Sequence, residues 1–239
     1  MIRKAIGILG GMGPMATVDM MRKIIHATPA RSDQEHLRIL VDCNPQIPNR
    51  SVAVFGGGES PGPWLARAAT GLQSAGAELL VIACNSAHHW YEDITATATV
   101  PVLHIAHETA RKMERESLGF STVGIIGGAV TTGKGLYSRA LARLGIQVVV
   151  PTPTEQETVD ETFFSYKGGA SPEHLKAKLL AIADRLCERG ATALIAACTE
   201  APLILCASDM DVPLIDATQA VAEEAVAVAL GERPFAPYS

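Results

Sequence analysis

The sequence predicts an α/β protein of two pseudo-symmetric lobes, each a mostly parallel sheet flanked by helices, with an active site in the cleft between them. Three observations carry this. Short β-branched apolar runs alternate with longer Ala-rich amphipathic ones, the signature of strands alternating with helices. Aromatic residues make up only 5% of the chain against 48% hydrophobic, which suits helices packed closely on a parallel sheet. Finally, three segments recur in the same order at nearly constant spacing. Ile6–Gly11 returns as Val123–Gly128, Gly76–Asn85 as Gly190–Thr199, and Val100–His104 as Val212–Asp216. In each copy a cysteine, Cys84 or Cys198, ends the same strand.

In chain order the expected strands are Ala5–Leu9, Leu37–Asp42, Leu79–Ala83, Val100–Ile105, Thr122–Ile126, Gln147–Val150, Ala193–Ala197 and Val212–Ile215. All are short apolar runs. The expected helices are Pro14–Ile25, Pro63–Ala75, Ala106–Arg115, Gly135–Leu144, Pro172–Glu188 and Thr218–Leu230. Glycine, serine and proline make Phe55–Pro63 a loop, and the acidic run Glu155–Glu161 reads as a solvated segment before a helix. The repeat divides the chain into a first lobe, residues 1–105, and a second, 106–217, with the helix near 218–230 packing back on the first.

A chain of 239 residues can bury a sizeable core. With 25 acidic against 20 basic residues and a net charge of −5, there is no electrostatic case for nucleic acid or an anionic membrane as partner. No apolar run reaches the ~18 residues of a membrane span. Met1–Leu9 is too short and too directly followed by glycines for a signal peptide, so a soluble cytoplasmic protein is expected. The five cysteines form no C-x-x-C pair, which argues against a disulfide framework or a zinc knuckle.

The chemistry is expected where the strands end, because ligands of open α/β sheets bind beyond the carboxyl ends. The turn from Gly7 to Pro14 follows a strand and opens a helix, as a phosphate-binding loop does. Its glycines fall at 7, 10, 11 and 13, however, not in the dinucleotide spacing, so it reads as a tight turn receiving some anion. Cys84 is followed by Asn85 and Ser86, donors suited to a carboxylate, at the start of an expected helix that favours a thiolate, and His88 could tune the thiol or be a packing or surface residue. Cys198-Thr199-Glu200 repeats the arrangement. Either cysteine alone reads as a small core residue, but the matched positions favour function. Two thiols facing one cleft allow disulfide exchange, a thin metal ligand set, or an acid/base pair on opposite faces of a carbon, which inverts a stereocentre. Arg50, just beyond the second strand, could fork onto a carboxylate or be a solvated loop residue. Lys167 is a second carboxylate clamp or a snorkelling surface residue. Cys43, Cys187 and Cys206 have no counterpart in the repeat and are assigned to packing.

Taken together, Gly7–Pro14, Asp33–His36, Asn44–Arg50, Cys84–His88, Cys198–Glu200 and Val212–Asp216 make the chain resemble the cofactor-independent aspartate/glutamate racemase family, most closely its aspartate racemase branch. The resemblance implies two α/β lobes, no pyridoxal phosphate or metal, a homodimer, and a small acidic amino acid as substrate. It implies Cys84 and Cys198 as the catalytic acid/base residues, with Met12, Arg50, Asn85, Ser86, Thr131, Lys167 and Thr199 in the positions that hold substrate. Ser86 stands where the family commonly has Thr, Ala197 where Gly is usual, and Gly128 where the first Thr of a Thr-x-x-Thr pattern is found. Two other classes fit the residues: a related isomerase, decarboxylase or lyase using one cysteine as nucleophile, and a non-catalytic small-molecule binding protein.

Overall fold

The computed structural model describes residues 3–238. The chain divides into two compact units, one running to Glu108 and resuming at Thr218, the other Thr109–Ala217. In the first unit come β1 (Ile6–Gly10), α1 (Pro14–Ala27), β2 (Ile39–Cys43), α2 (Arg50–Phe55), α3 (Gly62–Ser74), β3 (Leu79–Ile82), α4 (Tyr91–Thr95) and α5 (Ile105–Arg115), which crosses the boundary. The second holds β4 (Thr122–Ile126), α6 (Ala129–Gly133), α7 (Leu136–Ala142), β5 (Gln147–Val149), α8 (Pro153–Lys167), α9 (Pro172–Glu188), β6 (Ala193–Ala196) and β7 (Leu214–Asp216). α10 (Ala217–Ala229) returns the chain to the first unit.

Both sheets are parallel, in the orders β2-β1-β3 and β5-β4-β6-β7. β1, β3 and β6 are buried at every residue, as continuous apolar strands covered on both faces must be. The sequence repeat is a repeat of register. Gly7 of β1 lies opposite Leu80 of β3, and Gly124 of β4 lies opposite Leu194 of β6. Both glycines are required by the same neighbours. A Cβ on Gly7 would sit 2.7 Å from Leu80 and 2.8 Å from Ala77, and one on Gly124 would sit 2.6 Å from Leu194 and 3.0 Å from Leu186.

The backbone repeats as well. Leu80 N–H donates to Pro101 O at 2.8 Å and Leu194 N–H to Pro213 O at 2.9 Å. At the other end of each strand, Ala83 N–H donates to Leu9 O and Ala197 N–H to Ile126 O, both at 2.9 Å. Each cysteine therefore follows a residue tied to the central strand by the same bond.

Two expected features are corrected. Val100–Ile105 is not a strand; it makes a single parallel bridge, Leu80 with Val102. The ladder stops because His104 N–H donates to Tyr238 Oη at 2.9 Å and α5 begins at Ile105. The acidic segment is not solvated loop but the first half of α8. Thr152 and Glu155 form a reciprocal capping box with Pro153 in the first turn. Glu155 is buried under the forked guanidinium of Arg189 (3.0 and 2.8 Å), whose hydrogen bonds hold its carboxyl down at about 2. Among the described residues no helix is long and apolar enough to cross a membrane.

The glycine contacts give a first test. Gly7→Ala and Gly124→Ala should each lose about 1–3 kcal/mol of stability through overpacking, seen as a lower urea midpoint. Gly71→Ala, in α3 with no heavy atom within 4 Å of the added Cβ, should be neutral or gain up to ~1 kcal/mol in helix propensity. Equal losses at all three positions would contradict the packing argument.

Candidate active site

In the first unit the chain leaves β1 through a turn that only glycine can build. Gly11 has φ of +90°, and a Cβ there would lie 2.3 Å from the Asn44 backbone. Thr17, one turn into α1, fastens the loop: its Oγ1 accepts from Gly11 N–H at 2.8 Å and donates to Gly13 O at 3.2 Å. No side chain caps α1 at Gly13. Met12 is buried and packs in one apolar cluster with Ile47, Cys84 and Ala87. Arg50 sits at the start of α2, behind an N-cap in which Asn49 accepts from Ser51 and Val52. Its guanidinium donates to Ile47 O (3.0 Å), Pro48 O (2.8 Å) and Met12 O (3.5 Å). Arg50 thus ties the loop after β2 to the glycine turn, rather than standing free on a rim.

Cys84 is buried. The helix expected after it is a short 3-10 turn, Ser86–Trp90, followed by the brief α4. The macrodipole of a full helix is therefore not available to this thiol. Asn85 is buried and Ser86 partly so. His88, read from the sequence as a neighbour that could tune the thiol, acts on the backbone instead. Its Nε2 accepts from Ile105 N–H at 3.1 Å, which leaves Nδ1–H to donate to Cys84 O at 2.9 Å. Burial lowers the His88 pKa from 6.5 to about 4, so the ring is neutral at neutral pH and acts as a clip on the cysteine turn.

The second unit builds the equivalent positions with different side chains. After β4, Gly127 leaves room for Ala197, since a Cβ on Gly127 would lie 2.9 Å from Ala197 O and 3.1 Å from its Cβ. The Ala197 methyl, where the resemblance leads one to expect glycine, is thus accommodated by a glycine opposite. α8 ties down this turn. Gln156 Nε2 donates to Gly127 O at 3.0 Å and its Oε1 accepts from Thr132 at 2.8 Å, while Ala129 N–H donates to Asp160 at 3.0 Å. Burial raises the Asp160 pKa. Thr131 is buried in α6.

Cys198 is partly exposed and is followed by a 3-10 turn, Ala201–Leu203, again not a full helix. Its Sγ lies 3.0 Å from Glu200 Oε2, which also accepts from Thr199 Oγ1 at 3.4 Å. Lys167, the last residue of α8, places Nζ 3.4 Å from the other oxygen of Glu200. Desolvation, and then the Glu200 charge, push the Cys198 thiol well above its ordinary range.

In the first unit Met12 packs with Cys84 and is tied to Arg50, and Asn85 and Ser86 follow the cysteine; in the second Lys167, Cys198 and Thr199 meet at Glu200, while Thr131 lies in α6 after β4. Sequence reasoning missed Gln156, Asp160 and the role of Glu200. The first two were legible: Thr152-Pro-Thr-Glu155 is a capping-box signature that announces the helix bearing them. Nothing local marks Glu200 as buried against its neighbouring cysteine. Among the described residues no group of three or more His, Cys, Asp and Glu is placed to hold a metal ion.

Each unit is thus a parallel α/β sheet with a cysteine two residues past the end of the equivalent strand, β3 or β6. A profile of the Asp/Glu/Hydantoin racemase family matches residues 9–225, and the chain belongs to that family. It is 25% identical over 238 residues, 94% of this chain and 98% of the other, to the broad specificity amino-acid racemase RacX of Bacillus subtilis (strain 168). Among solved structures it superposes on the Picrophilus torridus aspartate racemase with a TM-score of 0.85 and 29% identity, covering 95% of this chain and 94% of that one. Glutamate racemase of Francisella tularensis, in complex with D-glutamate, shares the fold at a TM-score of 0.66 and 19% identity, over 97% of this chain and 82% of that one.

The buried neutral His88 gives a pH prediction. Its folded pKa of about 4 lies below the ordinary 6.5, so the unfolded chain binds the extra proton. Its contribution to stability is whole above pH 6.5 and is lost as pH falls through 4, amounting to roughly 3 kcal/mol. Unfolding free energy followed from pH 7 to 4 should fall more steeply for the wild type than for His88→Gln. Parallel slopes would sink the assignment.

Proposed function

We propose that this enzyme interconverts the enantiomers of aspartate or a close acidic amino acid without pyridoxal phosphate, with Cys84 and Cys198 acting on the same α-carbon. The observation that carries the reading is the matched pair of cysteines, each following the same strand in the same register. One sulfur takes the α-proton, the electron pair is left on the α-carbon and its carboxylate, and the second sulfur delivers a proton to the opposite face. The raised pKa of Cys198 supports that residue as the proton-bearing partner at rest.

An acidic substrate is supported by two cations near the strand ends. Arg50 adjoins the Met12 turn, and the Lys167 ammonium has three donors, so it can hold Glu200 and a ligand carboxylate together. Asn85, Ser86, Thr131 and Thr199 complete the polar lining in this reading, and the backbone N–H groups at the start of α1 face the charge that builds on the α-carboxylate. The aspartate racemase of P. torridus supports aspartate as the substrate, while the B. subtilis relative supports a wider range of side chains. The same reading includes a homodimer, supported by large exposed apolar side chains concentrated in the first unit: Met15, Val18, Val41, Val52 and Phe55.

Incubation with L-aspartate in D₂O should yield both enantiomers, with deuterium at Cα. Cys84→Ala and Cys198→Ala should each slow this by about 10²–10⁴-fold. No exchange with any acidic amino acid would overturn the substrate reading, and wild-type exchange by either variant would overturn two-thiol chemistry in favour of a single nucleophile. Light scattering should return twice the chain mass of 25.2 kDa; a monomer would remove the homodimer.

A further inference from the structure

We propose that Glu200 is the positioning residue for Cys198: its carboxylate holds the Sγ–H bond and keeps the proton on sulfur, and Lys167 sets the charge that Glu200 presents. This rests on the reading of Cys198 as one of the two acid/base groups. The geometry is a continuous line within the second unit, from Sγ to Glu200 Oε2 at 3.0 Å, and from Glu200 Oε1 to Lys167 Nζ at 3.4 Å. The Glu200 side chain is only 3% exposed, whereas Lys167 is 33% exposed. A carboxylate that deep is costly unless every oxygen is engaged. Here one oxygen faces the thiol together with Thr199 Oγ1, and the other faces the ammonium.

In the first unit the repeat places Ser86 at the position of Glu200. There the turn after Cys84 is held by a neutral imidazole bound to three backbone groups, Cys84 O, Asn85 O and Ile105 N–H. The equivalent turns therefore present opposite surroundings: Cys84 lies beside a neutral clip, and Cys198 beside an anion. An anion at hydrogen-bond distance favours the thiol over the thiolate. When Cys198 gives up its proton, the S–H bond breaks, its electron pair stays on sulfur and the proton forms the new Cα–H bond. The thiolate so made stands against the Glu200 charge, partly offset by Lys167, and is a strong base for the reverse reaction. Glu200 thus gives Cys198 an anionic neighbour at the repeat position where the first unit carries Ser86. Among the described residues, Tyr137 of α7 also interacts electrostatically with Cys198, and Asp216 at the end of β7 acts on Tyr137.

The test is the titration of Cys198 itself, read by the pH dependence of its alkylation by iodoacetamide in a Cys84→Ala background and followed by peptide mass spectrometry. Glu200→Gln keeps an oxygen to accept the S–H bond but removes the charge, so the midpoint should fall by about one unit or more. Lys167→Met, at an exposed site, should move it upward. A scaffold role alone predicts no opposed pair of shifts. Unmoved midpoints in both variants, or shifts of the same sign, overturn the proposal. Alkylation needs no turnover, so opposed shifts in a protein that fails to exchange Cα protons would sink the racemase reading and leave Glu200 in its role. Exchange without opposed shifts would do the reverse.

Discussion

A glycine facing a leucine across two parallel strands is the contact on which the rest depends. Gly7 against Leu80 and Gly124 against Leu194 let the helix before each strand approach the sheet closely, with Leu72 and Leu186 filling the space a Cβ would take. That approach fixes where β3 and β6 run, hence where they end, and each ends one residue short of the alanine that precedes its cysteine. The cysteines are placed by packing several residues upstream. A shift of either strand would carry its sulfur with it.

Beyond the strand ends the repetition stops, and the differences are electrostatic. The first unit secures its glycine turn with Thr17 and Arg50, the second with Gln156 and Asp160 from α8. The first clips its cysteine turn with a histidine that burial keeps neutral; the second sets a buried carboxylate against the sulfur. The substrate enantiomers of a racemase have equal free energy, but the protein that handles them is built of L-residues and has no reason to treat both faces alike. The repeat supplies equivalent positions for the sulfurs, and the side chains that hold the turns after them do not repeat.

What was legible in the sequence follows the same division. Buried parallel strands are uninterrupted apolar runs, so β1, β3, β4 and β6 read within a residue or two, and the recurrence of their glycines and cysteines exposed the two-unit plan. Val100–Ile105 failed because its continuation as a strand was decided by the distant Tyr238, which takes the His104 N–H. α8 failed because its acidic residues were weighed by charge; Glu155 is buried by Arg189, more than thirty residues away along the chain. The helices expected after the cysteines shrank to 3-10 turns, a difference that pattern reading of two or three polar residues does not resolve. Arg50 was placed just beyond a strand and Lys167 read as a carboxylate clamp or a surface residue, but their partners, three backbone carbonyls and a buried glutamate, are tertiary facts.

The central claim is that two sulfurs serve one carbon. A crystal structure of the enzyme with an acidic amino acid bound measures this directly. The account predicts Cys84 Sγ and Cys198 Sγ on opposite faces of Cα, each at a near-attack separation of about 3–3.5 Å, with no bond to the ligand. A ligand reached by only one sulfur, or joined to it covalently, would contradict it.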